Sequence, residues 1–426
     1  MNFLQTFEHN SKIIVFINLS FILIPAAIII GPFLADLLVV LLGFFFLIYI
    51  FKYKEFHYLK NTIFIIFIIF CFYITLNSLI NNGSFASIKS SIFYFRFGLL
   101  ALSVQLLLDK KGSIVFKQFF FIMLIIYIVL GCDVLSEFFF KKNILNQFSV
   151  YPGRISSLFG DELIVGSYIY RMMPIFISSY VFFNIKNPKI DLYFMFFLIF
   201  LLYLVFISGE RSAFILSLLF FFIIAWKIFI KKKYFFLIFF LSLIIFLISF
   251  LNFDSLKNRY YDKTISQFEI SKDSFSFTIP GLIKIYPFEY QIYFSSSIHI
   301  WKTNLLFGRG NKSYRILCSK IKKKDIEGAS KHCSIHPHNY YLQMLAENGL
   351  VGLIFLSSFF LYLFYKLVCL IFKKNYSAYK FVIVTGLFTF YWPLIYTGSY
   401  FNNVVSLFNF IILGFYFFKD SCERNV

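Results

Sequence analysis

The stretch HPHNYYLQMLAENGLVG, residues 336–352, stands where a long polar segment gives way to an apolar run, and its reading decides the fold. Pro337 disfavours helix in the residue before it and Asn339 is a good N-cap, so the spacing predicts a helix beginning at about Asn339. His338 then sits at the mouth of that helix. On a continuous helix turning about 100° per residue, Leu342, Leu345, Gly349 and Gly352 form one stripe beneath it. Two glycines on that stripe predict close approach by a neighbouring helix. A helix N-terminus attracts anions and disfavours the imidazolium form of a nearby histidine. A neutral imidazole beside an anion site suits a general base. The plainer alternative makes His338 a polar boundary residue above glycines that only pack helices.

The surrounding composition is that of a membrane. Of 426 residues, 60% are hydrophobic, 23% aromatic and only 14% charged, and the mean hydropathy is +0.80. The fold class is an all-α, polytopic membrane protein. A formal charge of +20 suggests a nucleic-acid partner until the basic residues are located. Many lie in short connections between apolar runs, where they set orientation, so no nucleic-acid partner is expected.

The runs cover approximately 13–30, 33–51, 62–80, 92–108, 115–135, 162–183, 192–208, 212–230, 234–251, 349–372, 381–396 and 403–418. That makes about twelve transmembrane helices. The first follows only Lys12 and leads into no soluble domain, so it is expected to be an anchor and not a cleaved signal. Lys52, Lys54 and Lys60, then Lys110, Lys111 and Lys117, Lys186 and Lys189, Lys231 to Lys233, and Lys373, Lys374 and Lys380 fall on alternate connections. This alternation places both termini in the cytoplasm. On the opposite side a loop from about Asn252 to Pro337, containing Pro280 and Pro287, is too long for an ordinary connection. The expected organisation is therefore helices 1 to 9 over residues 1–251, a large outer loop with short helices over 252–338, and helices 10 to 12 over 339–426.

Cys71, Cys132 and Cys369 lie in or at membrane helices and Cys422 in the cytoplasmic tail. Cys318 and Cys333 share the outer loop, and a disulfide between them would contribute roughly 3 kcal/mol through loop closure. The alternative is two free thiols. The Cys and His spacing matches no usual zinc site.

Outer-side cations complete the candidate site. Arg154 precedes a helix, Arg211 lies in the minimal turn Ser208-Gly209-Glu210-Arg211-Ser212, and Arg259 opens the large loop. Planar guanidinium groups bind two oxygens of a diphosphate at once. Against this stands snorkelling or surface ion pairing for each. Glu210 is placed to orient Arg211, to bind an acceptor hydroxyl, or simply to pair with its neighbour. Arg96 and Arg171 lie deeper in apolar runs and call for structural pairing or a lipid phosphate. The turn Leu306-Phe307-Gly308-Arg309-Gly310 has too few glycines for a nucleotide-phosphate loop and reads as structural.

Together these residues resemble the O-antigen ligase and polymerase superfamily of bacterial membrane enzymes. The resemblance rests on H-N-x9-G-x-x-G at His338, Asn339, Gly349 and Gly352, with R-x-x-S-x-F-G-D-E-x-x-x-G-S-Y from Arg154 to Tyr168. It also covers Gly209 to Ser212, Arg259, the Phe307 to Gly310 turn and the Cys318/Cys333 pair. It implies a GT-C-like fold in the inner membrane and a metal-independent, inverting glycosyl transfer on the periplasmic face, without a cofactor. The implied donor is an undecaprenyl-diphosphate-linked glycan, and the acceptor is lipid A–core for a ligase or a second lipid-linked glycan for a polymerase. His338 would be the base, supported by His336, Asn339 and Glu210, while Arg211, Arg259 and Arg154 hold the diphosphate. A lipid-linked sugar transporter is the rival from another class.

Overall fold

The computed structural model describes residues 12–148, 151, 153–182, 188–228, 232–266, 286–321, 326, 333–373 and 376–419. Lys186, Lys231, Pro280, Lys374 and Cys422 lie outside them. The helices in chain order are α1 (Lys12–Ile30), α2 (Pro32–Tyr53), α3 (Thr62–Asn81), α4 (Phe85–Ile92) and α5 (Arg96–Phe140). Next come α6 (Val165–Phe182), α7 (Pro188–Ile207), α8 (Arg211–Ile228), α9 (Lys232–Asn252) and α10 (Asp254–Lys257). The last are α11 (Phe288–Lys302), α12 (Tyr314–Leu317), α13 (Tyr340–Phe372), α14 (Ala378–Phe390) and α15 (Asn403–Phe417). No strand occurs among the described residues.

Apolar runs without charge become helices because a bilayer offers the backbone no other hydrogen-bond partner. Their starts follow local chemistry. Asn61, Asn339 and Asn402 each accept two N–H groups of the first turn of α3, α13 and α15, and Ser377 accepts one of α14. By length and hydropathy, six described helical segments qualify as membrane spans. A seventh appears if Phe239–Asn252 and Asp254–Ser266, bent by 96°, count as one. The twelve expected spans exceed this for physical reasons. The runs at 92–108 and 115–135 join into one α5, bent at Lys111, whose φ is −135°. Leu192–Ile207, α14 and α15 are apolar but short.

Aromatic packing dominates the bundle, as in the stack of Phe70 on Phe355 at 4.0 Å and of Phe120 on Phe176 at 5.0 Å. Basic residues near helix ends are paired as well: Lys110 with Glu55 at 2.6 Å, while Lys227 and Lys380 cap the last carbonyls of α13 and α15. Arg96 pairs with Asp36 at 2.7 Å, so its charge has a structural use.

Above the bundle, α11 and α12 form a cap with a small core of its own, in which Ile292, Ile300, Tyr314 and Cys318 pack on Ala346 of α13. Cys318 and Cys333 are joined as a disulfide, with Cα atoms 5.7 Å apart.

Helix α13 is not continuous. Gly349 has φ +63° and ψ −159°, and a Cβ there would stand 2.2 Å from the Leu306 carbonyl oxygen. The Leu306 to Gly310 turn fills this break from outside the helix. Arg309 and Gly310 donate N–H groups to the carbonyls of Ala346 and Glu347, which the break leaves without helical partners. Leu350 and Val351 donate in turn to the carbonyls of Leu305 and Leu306. This corrects the continuous glycine stripe: Gly349 admits a turn of the cap, not a neighbouring helix, and Gly352 faces Asn348 of its own helix. The structural role expected of the turn is what the backbone does. An amide network secures the joint: Asn77 donates to Glu347 and Asn348, Asn348 to Asn311, and Asn311 to Ser91.

Candidate active site

His338 precedes the N-cap Asn339 and takes a left-handed backbone, φ +54°. Its carbonyl accepts the Thr397 N–H at 2.8 Å, and Asn339 donates to the Pro393 carbonyl at 2.8 Å. These bonds tie the mouth of α13 to the loop after α14. The imidazole lies half-buried, with Nε2 3.2 Å from the Ser334 hydroxyl and its ring 4.1 Å from that of His336. Burial pushes the His338 ring below the ordinary imidazole pKa, with an opposing hydrogen bond at the Thr397 backbone. Burial, His338 and Arg315 push His336 down to about 3, and neither of its buried ring nitrogens has a hydrogen-bond partner. Both rings are therefore neutral at pH 7. For His338 the first cause of the lowering is burial, where the sequence pointed to the helix N-terminus.

The three arginines converge through a crossing of two loops. Gly209, with φ +74°, passes Gly153 so closely that a Cβ on it would lie 2.4 Å from the Gly153 carbonyl oxygen. Ile155 donates to the Ser208 carbonyl at 3.2 Å, which sets Arg154 beside the Glu210-Arg211 turn. Arg259, on a π-helical turn after α10, donates from Nε to the Gly209 carbonyl at 2.9 Å. Arg211 opens α8 and donates to Thr264 at 2.6 Å, while Arg154 donates to the Leu163 carbonyl at 2.8 Å. Burial, then the charges of Arg211 and Arg154, push the Arg259 guanidinium down to about 10, so it stays charged at neutral pH. Three guanidinium groups gathered at one crossing suit an anionic ligand.

Glu210 has a use that sequence reading missed. Its carboxylate accepts the N–H groups of Gly166 and Ser167 at 2.6 and 3.1 Å and the Ser167 hydroxyl at 2.5 Å. It thus caps the start of α6 from another loop. Burial raises its pKa against those bonds and the charge of Arg154.

Tyr290 on α11 connects the two halves. Its ring lies 5.9 Å from His338 and stacks at 3.7 Å on Tyr396. Burial raises its phenol pKa, and Arg211, Arg259 and Arg154 each oppose that rise. One side chain therefore stands beside the histidine and within the field of all three arginines. Tyr293, one turn along α11, lies 5.5 Å from His338. The Tyr290-x-x-Tyr293 spacing was visible in the sequence, but among 29 Tyr and 67 Phe it carried no signal. Behind the site, Arg171 is buried on α6, donating to Asn409 and to the hydroxyl of Tyr340, both at 3.1 Å.

Residues 196–357 match the model of a family described as O-antigen ligase. This segment belongs to the O-antigen ligase and polymerase superfamily. The ligase-family segment contains Arg211, Arg259, His338, Gly349 and Gly352, whereas Arg154 lies before it. The family comprises glycosyltransferase-like enzymes, and the apolar helices make the chain a multi-pass membrane protein. No curated protein matches the chain.

Proposed function

We propose that the chain is an O-antigen ligase-type glycosyltransferase. It moves a glycan from undecaprenyl diphosphate to a sugar hydroxyl of lipid A–core on the periplasmic face of the bacterial inner membrane. In this reading there are twelve spans, with residues 252–338 as a periplasmic cap between the ninth and tenth and both termini in the cytoplasm. The observation that carries it is Tyr290, which lies beside His338 and in the field of Arg211, Arg259 and Arg154.

The acceptor O–H gives its proton to the unprotonated ring nitrogen of His338, whose Nε2 lies 3.2 Å from the Ser334 hydroxyl. The acceptor oxygen forms the new bond to the anomeric carbon from the face opposite the leaving group, which inverts that centre. The bond from that carbon to the phosphate oxygen breaks, and its electron pair leaves on the diphosphate. Arg211 and Arg259, with Arg154, hold that charge. An apolar groove of about 610 Å³ between α7, α8 and α9 runs from Phe222 and Phe239 up to Phe206 and Tyr260, next to Arg259. It suits a polyprenyl tail whose diphosphate lies at the arginines.

The deciding assay uses purified protein, undecaprenyl-diphosphate glycan and lipid A–core with a chelator present. His338→Ala is expected to insert normally and to lose transfer by about 10²- to 10⁴-fold. Retained transfer removes the base assignment. Product linkage in the same assay separates lipid A–core from a second lipid-linked glycan as acceptor.

A further inference from the structure

A second polar cavity, of about 740 Å³, opens between the end of α3, the end of α11 and the 309–321 stretch. It falls within the range of small-molecule sites, about 300–1,000 Å³. Helix α11 places it roughly 10–15 Å from His338, since Tyr290 and Tyr293 serve one end of that helix and His299 and Thr303 the other.

Among the described residues no carboxylate lines this cavity. Its ionisable groups are Arg309, Lys320 and His299, set among the amides of Asn81 and Asn82. The Arg309 guanidinium rests on neutral atoms of Thr303, with Nε 2.6 Å from the hydroxyl and Nη2 3.3 Å from the carbonyl oxygen. Its backbone is occupied in the helix joint at Gly349, but its charge is not neutralised there. Ser313 stands at the edge of the same cavity. It is 3% exposed, lines the cavity, and its hydroxyl has no hydrogen-bond partner. Cations that rest on neutral atoms in a polar cavity of this size suit an anionic ligand.

We infer that this cavity is a subsite for a sugar bearing a phosphate or a carboxylate, within the glycan handled at His338. Arg309 and Lys320 hold the anion, Asn81 and Asn82 use the hydrogen-bonding capacity left by their bonds to Asn77, Asn304 and Asn311 to hold sugar hydroxyls, and Ile300 and Leu317 supply an apolar wall. The inference takes its context from the proposed transfer. A phospholipid headgroup shares the anionic chemistry, but the amides favour a saccharide. The disulfide links this wall to the catalytic side, because Cys318 adjoins Leu317 and Cys333 adjoins Ser334.

Equilibrium dialysis of the purified full-length protein in detergent with maltose 1-phosphate tests this. Saturable binding is expected, with maltose, Arg309→Gln and Lys320→Gln each weakening it by about tenfold. Lys320 is exposed, so its variant keeps the test sound if Arg309→Gln disturbs the turn. Equal affinity for maltose, unchanged binding in both variants, or no saturable binding overturns the subsite. Displacement by phosphatidylglycerol vesicles overturns it in favour of a lipid headgroup. His338→Ala is expected to bind maltose 1-phosphate unchanged, so failure of the base assignment and failure of the subsite are read separately.

Discussion

At Gly153 and Gly209 two loops cross with a carbonyl oxygen 2.4 Å from where a Cβ would be, and at Gly349 a broken helix meets the cap turn with a corresponding distance of 2.2 Å. The backbone device is the same. At the first crossing the side chains converge, bringing Arg154, Arg211 and Arg259 around one space. At the second the backbone itself replaces missing helical hydrogen bonds, and side-chain amides only secure the joint. The first junction builds a charge cluster on loops, and the second holds a membrane helix together.

The largest expected effect breaks the second junction. Gly349→Ala needs a left-handed backbone and meets the Leu306 carbonyl, so it should cost more than about 4 kcal/mol and leave little folded protein on size exclusion. Gly209→Ala meets the carbonyl of a neighbouring loop and interrupts no helix. It should leave the bundle folded and cut transfer by about a hundredfold as Arg154 moves from Arg211. If both variants unfold alike, the distinction fails.

Replacing Cys318 and Cys333 by Ser removes a cross-link 15 residues apart and should lower stability by about 3 kcal/mol, read in a denaturant titration. Arg211→Lys should then reduce transfer by about ten- to a hundredfold, because an ammonium cannot make the two parallel bonds of a guanidinium.

The smallest effects are those of pH. Since folding lowers the pKa of His338, its base form persists below the ordinary value of 6.5, and the acid limb of transfer should fall below that pH. His336 is also lowered on folding, so the unfolded chain binds more protons in acid. Its contribution to stability is complete above 6.5 and should be lost as pH falls towards about 3, a loss that His336→Asn removes.

Much of this was legible in the sequence. Apolar runs bounded by charges and by Asn or Ser caps mark helix edges within a few residues, as at Asn61, Asn339 and Asn402. The arginines and His338 were readable as separate outer-side groups. The break in α13 was not, because the turn that makes Gly349 tolerable lies some forty residues earlier and is joined to it only by tertiary folding. The capping of α6 by Glu210 was hidden for the same reason: its partners, Gly166 and Ser167, are distant in the chain. Tyr290 was hidden by composition.

The splice at Gly349 bears on how the molecule can move. Four main-chain bonds of a transmembrane rod are supplied by the cover above it, and peeling that cover away would strand their donors and acceptors at about 1–3 kcal/mol each. Rod and cover are therefore expected to move together, and in the proposed function a lipid-linked substrate enters from the flank.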